Sequence, residues 1–195
     1  MDMGLMDGIW ADAARAMLKW LPYRAELDGV RLGASEGRPA SIERDTTARY
    51  PTWIVRDDRV QVRLTADPRK FEVDISNLTD AALSLNWDDA VFISPAGTGM
   101  RLTHRGVTVR EVLTSQAPAL VPRRGSYSDV LIPVSDEETK SDIDFERLLF
   151  PADVVDEGDV QEAHLVLPLS SGGSSVDYSF DFKAIPKGEA RAAEE

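Results

Sequence analysis

The residues of this chain with chemistry in them are two histidines and an excess of carboxylates. Among 195 residues, 34 are Asp or Glu, 22 are Lys or Arg, and none is Cys. The lack of cysteine excludes disulfides, thiolate metal sites and a sulfur nucleophile. Residues 84–106, SLNWDDAVFISPAGTGMRLTHRG, gather Trp87, Asp88, Asp89 and His104. Aspartate and histidine suit a divalent cation by ligand type. On an extended strand, however, Asp88 and Asp89 point to opposite faces and cannot both reach one ion. The expectation is therefore a structural polar cluster of Trp87, Asp88 and His104. In it His104 returns beside Trp87 and Asp88, and a polar bond fixes the register.

A second constellation lies at residues 153–159, DVVDEGD. Asp153, Asp156, Glu157 and Asp159 are hard oxygen ligands fit for weak Ca²⁺ binding. Their spacing departs from the EF-hand loop, so a solvated acidic loop is the simpler reading and Ca²⁺ binding the weak alternative. His104 and His164 can be combined with many serines and acids, but no G-x-S-x-G elbow singles out a nucleophile. A carboxylate-pair hydrolase leaves no local signature, because its acids come from separate strands. No catalytic residue is assigned. With no Walker A or dinucleotide-binding fingerprint, no cofactor is expected.

The net charge of −12 opposes nucleic acid and anionic lipid as partners, since both demand a basic patch. No apolar run approaches the roughly 18–20 residues that span a bilayer. Aspartate outnumbers glutamate, 21 to 13, which fits either high-salt adaptation or a coding bias of the source genome.

The elements that would position these residues are mostly strands. At the N-terminus, Leu5, Ile9, Met17 and Trp20 recur at near-helical spacing, with Asp7 as a cap and Pro22 as a stop. This predicts a helix over residues 7–20, with Trp10, Met17 and Trp20 available to contact a partner. Residues 28–49 are polar and without period, and read as a linker. From residue 50 the period becomes two. Val60, Val62 and Leu64 alternate with polar residues, as do Phe71, Val73 and Ile75, then Leu83, Leu85 and Trp87, and at the end Val176, Tyr178, Phe180 and Phe182. Phe145, Leu148 and Leu149 could form one face of a helical turn before Pro151.

Eight or nine short strands with frequent turns predict a mainly β fold, an antiparallel immunoglobulin-like β-sandwich, with a small barrel as the alternative. The expected organisation is a helix and linker at 1–49, the sandwich at 50–187 and a charged tail at 188–195.

Residues 53–133 carry an ordered set of features: DDRVQVRL, FEVDIS, Asn77-Leu78-Thr79, LSLNWDDAVFI, SPAG, LTHRGV and PALVPRRGSYSDVLIP. In order and spacing these resemble a family of uncharacterised bacterial envelope proteins, many of them secreted or lipid-anchored. The resemblance implies an immunoglobulin-like sandwich with no established activity, in the envelope or periplasm. The chain as given departs from that pattern in lacking a signal peptide and a lipid-acceptor cysteine, so a cytoplasmic location is the alternative. The expected function is a non-enzymatic structural or protein-interaction module that uses the N-terminal helix or a sheet edge. A Ca²⁺- or ligand-binding module using the acidic 135–162 segment is the alternative, and a hydrolase the third reading.

Overall fold

In a strand, alternate side chains leave on opposite faces, so the period-2 segments can bury one face only if that face is covered by another layer or the sheet curls over itself. The computed structural model does this. It describes residues 23–32, 41–107, 109–112, 114–135, 148–151 and 160–186. Among them the chain is mainly β and antiparallel. The strands are β1 (Tyr23–Leu32), β2 (Ser41–Arg44), β3 (Thr52–Arg56), β4 (Val60–Ala66), β5 (Phe71–Asn77), β6 (Leu83–Leu85), β7 (Val91–Ile93), β8 (Gly99–Thr103), β9 (Ala119–Val121), β10 (Ser126–Val134), β11 (Gln161–Ser171) and β12 (Ser174–Pro186). One short helix, α1 (Val109–Val112), precedes β9.

The strands follow one continuous path, β1-β12-β11-β7-β8-β10-β5-β4-β3-β2, with β6 and β9 branching from β11. β10 makes the turn between layers. Its residues 126–131 pair with β5, and its residues 132–134 pair with β8. The path thus folds back over itself into a near-barrel. Between the layers, Trp53 of β3 meets Phe182 of β12 edge-on at 5.7 Å between ring centres, and Phe71 of β5 packs on Phe92 and Phe182 at 5.6 and 5.3 Å. Each such ring, fully buried, contributes on the order of 2–3 kcal/mol. The strict alternation expected for residues 176–182 holds along β12, where Tyr178, Phe180 and Phe182 all point inward.

Three expectations change. The linker assigned to residues 28–49 is in part strand: β1 lies along β12, and β2 along β3. β1 does alternate, with Tyr23, Ala25 and Leu27 and then Val30 and Leu32 against the core, but the register shift between Leu27 and Gly29 breaks the period. β2 is exposed at all four positions and shows no apolar face to read. The sheet therefore takes in two strands that start ahead of residue 50, and the described residues hold twelve strands instead of eight or nine. No helical turn occupies residues 148–150, which form a bend. Leu149 and Phe150 are buried there because Leu149 N–H donates to the Pro68 carbonyl at 2.7 Å and Phe150 meets the Tyr23 ring at 5.7 Å. The helix expected at 7–20 and the tail at 188–195 lie outside the described residues. Within those residues no helix is long and apolar enough to cross a membrane.

Candidate functional site

Trp87 and Asp88 sit in the turn that follows β6. Trp87 is completely buried, as Leu83 and Leu85 are, while Asp88 is exposed. Their partners differ accordingly. His104 follows β8 directly and lays its ring parallel to Trp87, with centroids 4.2 Å apart and planes 15° apart. Its Nδ1 lies 3.3 Å from Oδ2 of Asp129, an electrostatic contact without hydrogen-bond alignment. Asp129 sits on the inner face of β10. It accepts from the Arg105 N–H at 2.9 Å, from the Val130 N–H at 2.7 Å, and from the Tyr127 hydroxyl. Burial, reinforced by that carboxylate, pushes the Tyr127 phenol well above its ordinary value.

Asp88 is thus not the acid beside His104. It accepts from the Ser115 hydroxyl, from the Gln116 N–H at 3.0 Å and from Arg101 at 2.9 Å. These donors, the Ser115 hydroxyl foremost, hold its carboxyl below the usual range. It ties the β6–β7 turn to β8 and to the segment entering β9. The expected trio therefore divides in two: a buried Trp87–His104–Asp129–Tyr127 chain inside, and an Asp88–Arg101–Ser115 knot outside. The signal for Asp129 in the sequence was weak, a lone acid in an otherwise ordinary strand.

His164 lies on β11, an interior strand between β12 and β7, and not at a sheet edge. Its Nδ1 is 2.6 Å from Oδ1 of Asp181, which also accepts from Arg31 at 2.8 Å. One register step along, Lys183 pairs with Asp28 at 2.9 Å and Glu162 at 3.6 Å. These are cross-strand partners on β1, β12 and β11, and their charges satisfy one another. Among the described residues neither histidine has a hydroxyl in hydrogen-bond contact, and no group of three metal-ligating side chains converges. The Ca²⁺ candidates Asp153, Asp156, Glu157 and Asp159, and the partner-contact residues Trp10, Met17 and Trp20, lie outside the described residues.

Two further features go beyond the sequence reading, which marked Asn77-Leu78-Thr79 but not the contacts of Asn77. Asn77, at the end of β5, is buried. Its amide donates to the carbonyls of Ala81, Val121 and Pro122, and its Oδ1 accepts from the N–H and hydroxyl of Thr79. The Asn-Leu-Thr turn is thus a knot holding β9 against β5. The second is a pocket of about 270 Å³ beneath the β7–β8 hairpin. Its apolar wall is formed by Phe92, Met100, Ile132, Pro133, Leu148 and Leu149. Ser94, Thr98 and Gln161 supply neutral polar groups.

No protein-family model matches this sequence, and no curated protein does. Among solved structures, one described as an X-ray structure of the Northeast Structural Genomics Consortium target SoR45 aligns over 83% of this chain and 89% of that chain. The identity is 9% and the TM-score 0.31, a likeness too slight to carry an argument about fold or function.

Proposed function

We propose that this protein is a non-enzymatic protein-interaction module of the bacterial cell envelope, built as an immunoglobulin-like sandwich and engaging its partner along a sheet edge. The observation that carries this reading is β2. It ends the strand path, pairs on one side with β3, and is exposed at every position. An edge strand presents a row of unpaired N–H and C=O groups to which an extended partner can add. The opposite end of the path, β1, is less inviting because the bulge between Leu27 and Gly29 interrupts its edge. Ile42 of β2 is 43% exposed and would give a partner strand an apolar contact.

The polar clusters support the same reading. Each joins strands, as expected of scaffold, although the buried Trp87 Nε1, His104 Nδ1 and Gln116 Oε1 make no hydrogen bond. The envelope assignment draws on the resemblance of residues 53–133.

The test is a photo-crosslinking residue at Ile42 in the native cell, with one at Leu120, an exposed apolar residue on β9, as the control. A discrete adduct from Ile42 in the envelope fraction, absent from Leu120, is expected. If Ile42 yields no adduct above Leu120 in any fraction, the edge is not an interaction site.

A further inference from the structure

From the pocket beneath the β7–β8 hairpin we infer a binding site for a small uncharged amphiphile, an apolar body bearing one hydrogen-bonding head. The floor is the sandwich core itself. Phe92 packs on Phe71 and cannot retreat, and Met100 is inward on β8. The roof is the segment at residues 148–151. It is pinned to the β4–β5 turn by the Leu149–Pro68 backbone bond and to β1 by the Phe150–Tyr23 ring contact. Floor and roof are therefore held apart by fixed elements, which is what keeps a cavity from collapsing.

Size sets the ligand. A dry apolar cavity of about 150 Å³ takes benzene, so about 270 Å³ takes a body of about eleven heavy atoms. The head is set by the polar groups. Gln161 opens β11 on one side of the pocket, and its amide offers both a donor and an acceptor. Ser94 accepts from the Thr98 N–H at 3.3 Å and keeps its own hydroxyl proton to donate. Charge decides against an acid. The protein carries a net −12, which opposes an anion at long range; the charged residue of the lining, Arg69, already has an interaction of its own, although its buried Nε makes no hydrogen bond. Hydroxyl, amide or ester heads fit these groups.

The experiment uses the whole chain, with 1-naphthol as probe and naphthalene and 1-naphthoate as comparators. Calorimetry measures binding, and a ¹³C-methyl methionine spectrum locates it through Met100. Saturable binding of 1-naphthol with a shift of the Met100 methyl signal is expected. Binding of 1-naphthoate is expected to be at least tenfold weaker. Gln161→Leu should weaken 1-naphthol by about tenfold, the loss of one buried hydrogen bond, and leave naphthalene within about twofold. Ala96→Trp, an exposed hairpin position at the mouth, should abolish binding of all three and leave thermal unfolding unchanged. No saturable binding, or binding that neither moves Met100 nor responds to Ala96→Trp, overturns the site. Binding of 1-naphthoate tighter than 1-naphthol overturns its assignment to an uncharged ligand. Crosslinking at Ile42 is unaffected by any of these outcomes, so this site and the β2 edge stand or fall separately.

Discussion

His104 lies flat against Trp87, and the acid at its ring nitrogen is Asp129, a residue 25 positions away, not the neighbouring Asp88. The imidazole thus bridges the turn after β6 and the inner face of β10, two segments that make no ladder with each other. His104→Ala removes the stack and leaves Asp129 buried with one partner fewer. It should cost about 2–4 kcal/mol in urea unfolding, and His104→Phe, which keeps a ring on Trp87, about half as much. Equal losses for the two variants would mean that the stack contributes nothing.

Asn77 should be among the most sensitive polar positions. Asn77→Ala deprives the Ala81, Val121 and Pro122 carbonyls and the Thr79 N–H of their partner. A cost of about 2–4 kcal/mol follows. Asn77→Asp should be no better, since a carboxylate would face three carbonyl oxygens. A shift in urea midpoint at constant slope is the readout.

All four tyrosines resist ionisation, burial being the largest cause in each. Tyr23 is pushed up to about 12, and Tyr50, Tyr127 and Tyr178 are also raised. Tyr178 donates to Asp57 at 2.8 Å, which adds to its shift. In the unfolded chain a phenol ionises near 10. The stability linked to these groups is therefore complete below about pH 10 and falls as pH rises toward the folded values. Absorbance at 295 nm should show tyrosinate appearing later than a free phenol near pH 10, with the main rise coinciding with loss of far-UV β signal. Gradual titration centred near pH 10 in the folded protein would contradict the burial.

On the acid side the sign reverses. Asp88 has a depressed carboxyl, so its contribution is present above the unfolded value of about 3.9. It is lost as pH falls through the folded value. Asp88→Asn should flatten the stability profile below about pH 4 and lower thermal stability at neutral pH. A wild-type acid limb in that variant would place the effect elsewhere.

Phe182 touches Trp53 and Phe71 across the two layers. Phe182→Ala should cost about 3–5 kcal/mol, whereas Leu120→Ala on exposed β9 should stay within about 0.5 kcal/mol. Comparable losses at the two positions would argue against facing sheets.

What the sequence by itself determined is the set of half-buried strands. Val60, Val62 and Leu64, or Tyr178, Phe180 and Phe182, announce themselves because one face of each strand is dry and the pleat has a period of two. Only the tertiary structure decided what each polar group meets. β1 and β2 are strands because β12 and β3 offer them backbone partners: the bulge after Leu27 interrupts the period of β1, and β2, exposed at every position, has no apolar alternation to read. Asp129 and Asn77 owe their roles to neighbours that lie 25 and 44 residues away. The pocket exists because segment 148–151 is carried back over the β7–β8 hairpin. Local patterning is written in side-chain order, but pairing across a sheet depends on which strands the chain brings together, and β10, by serving both layers, settles that here.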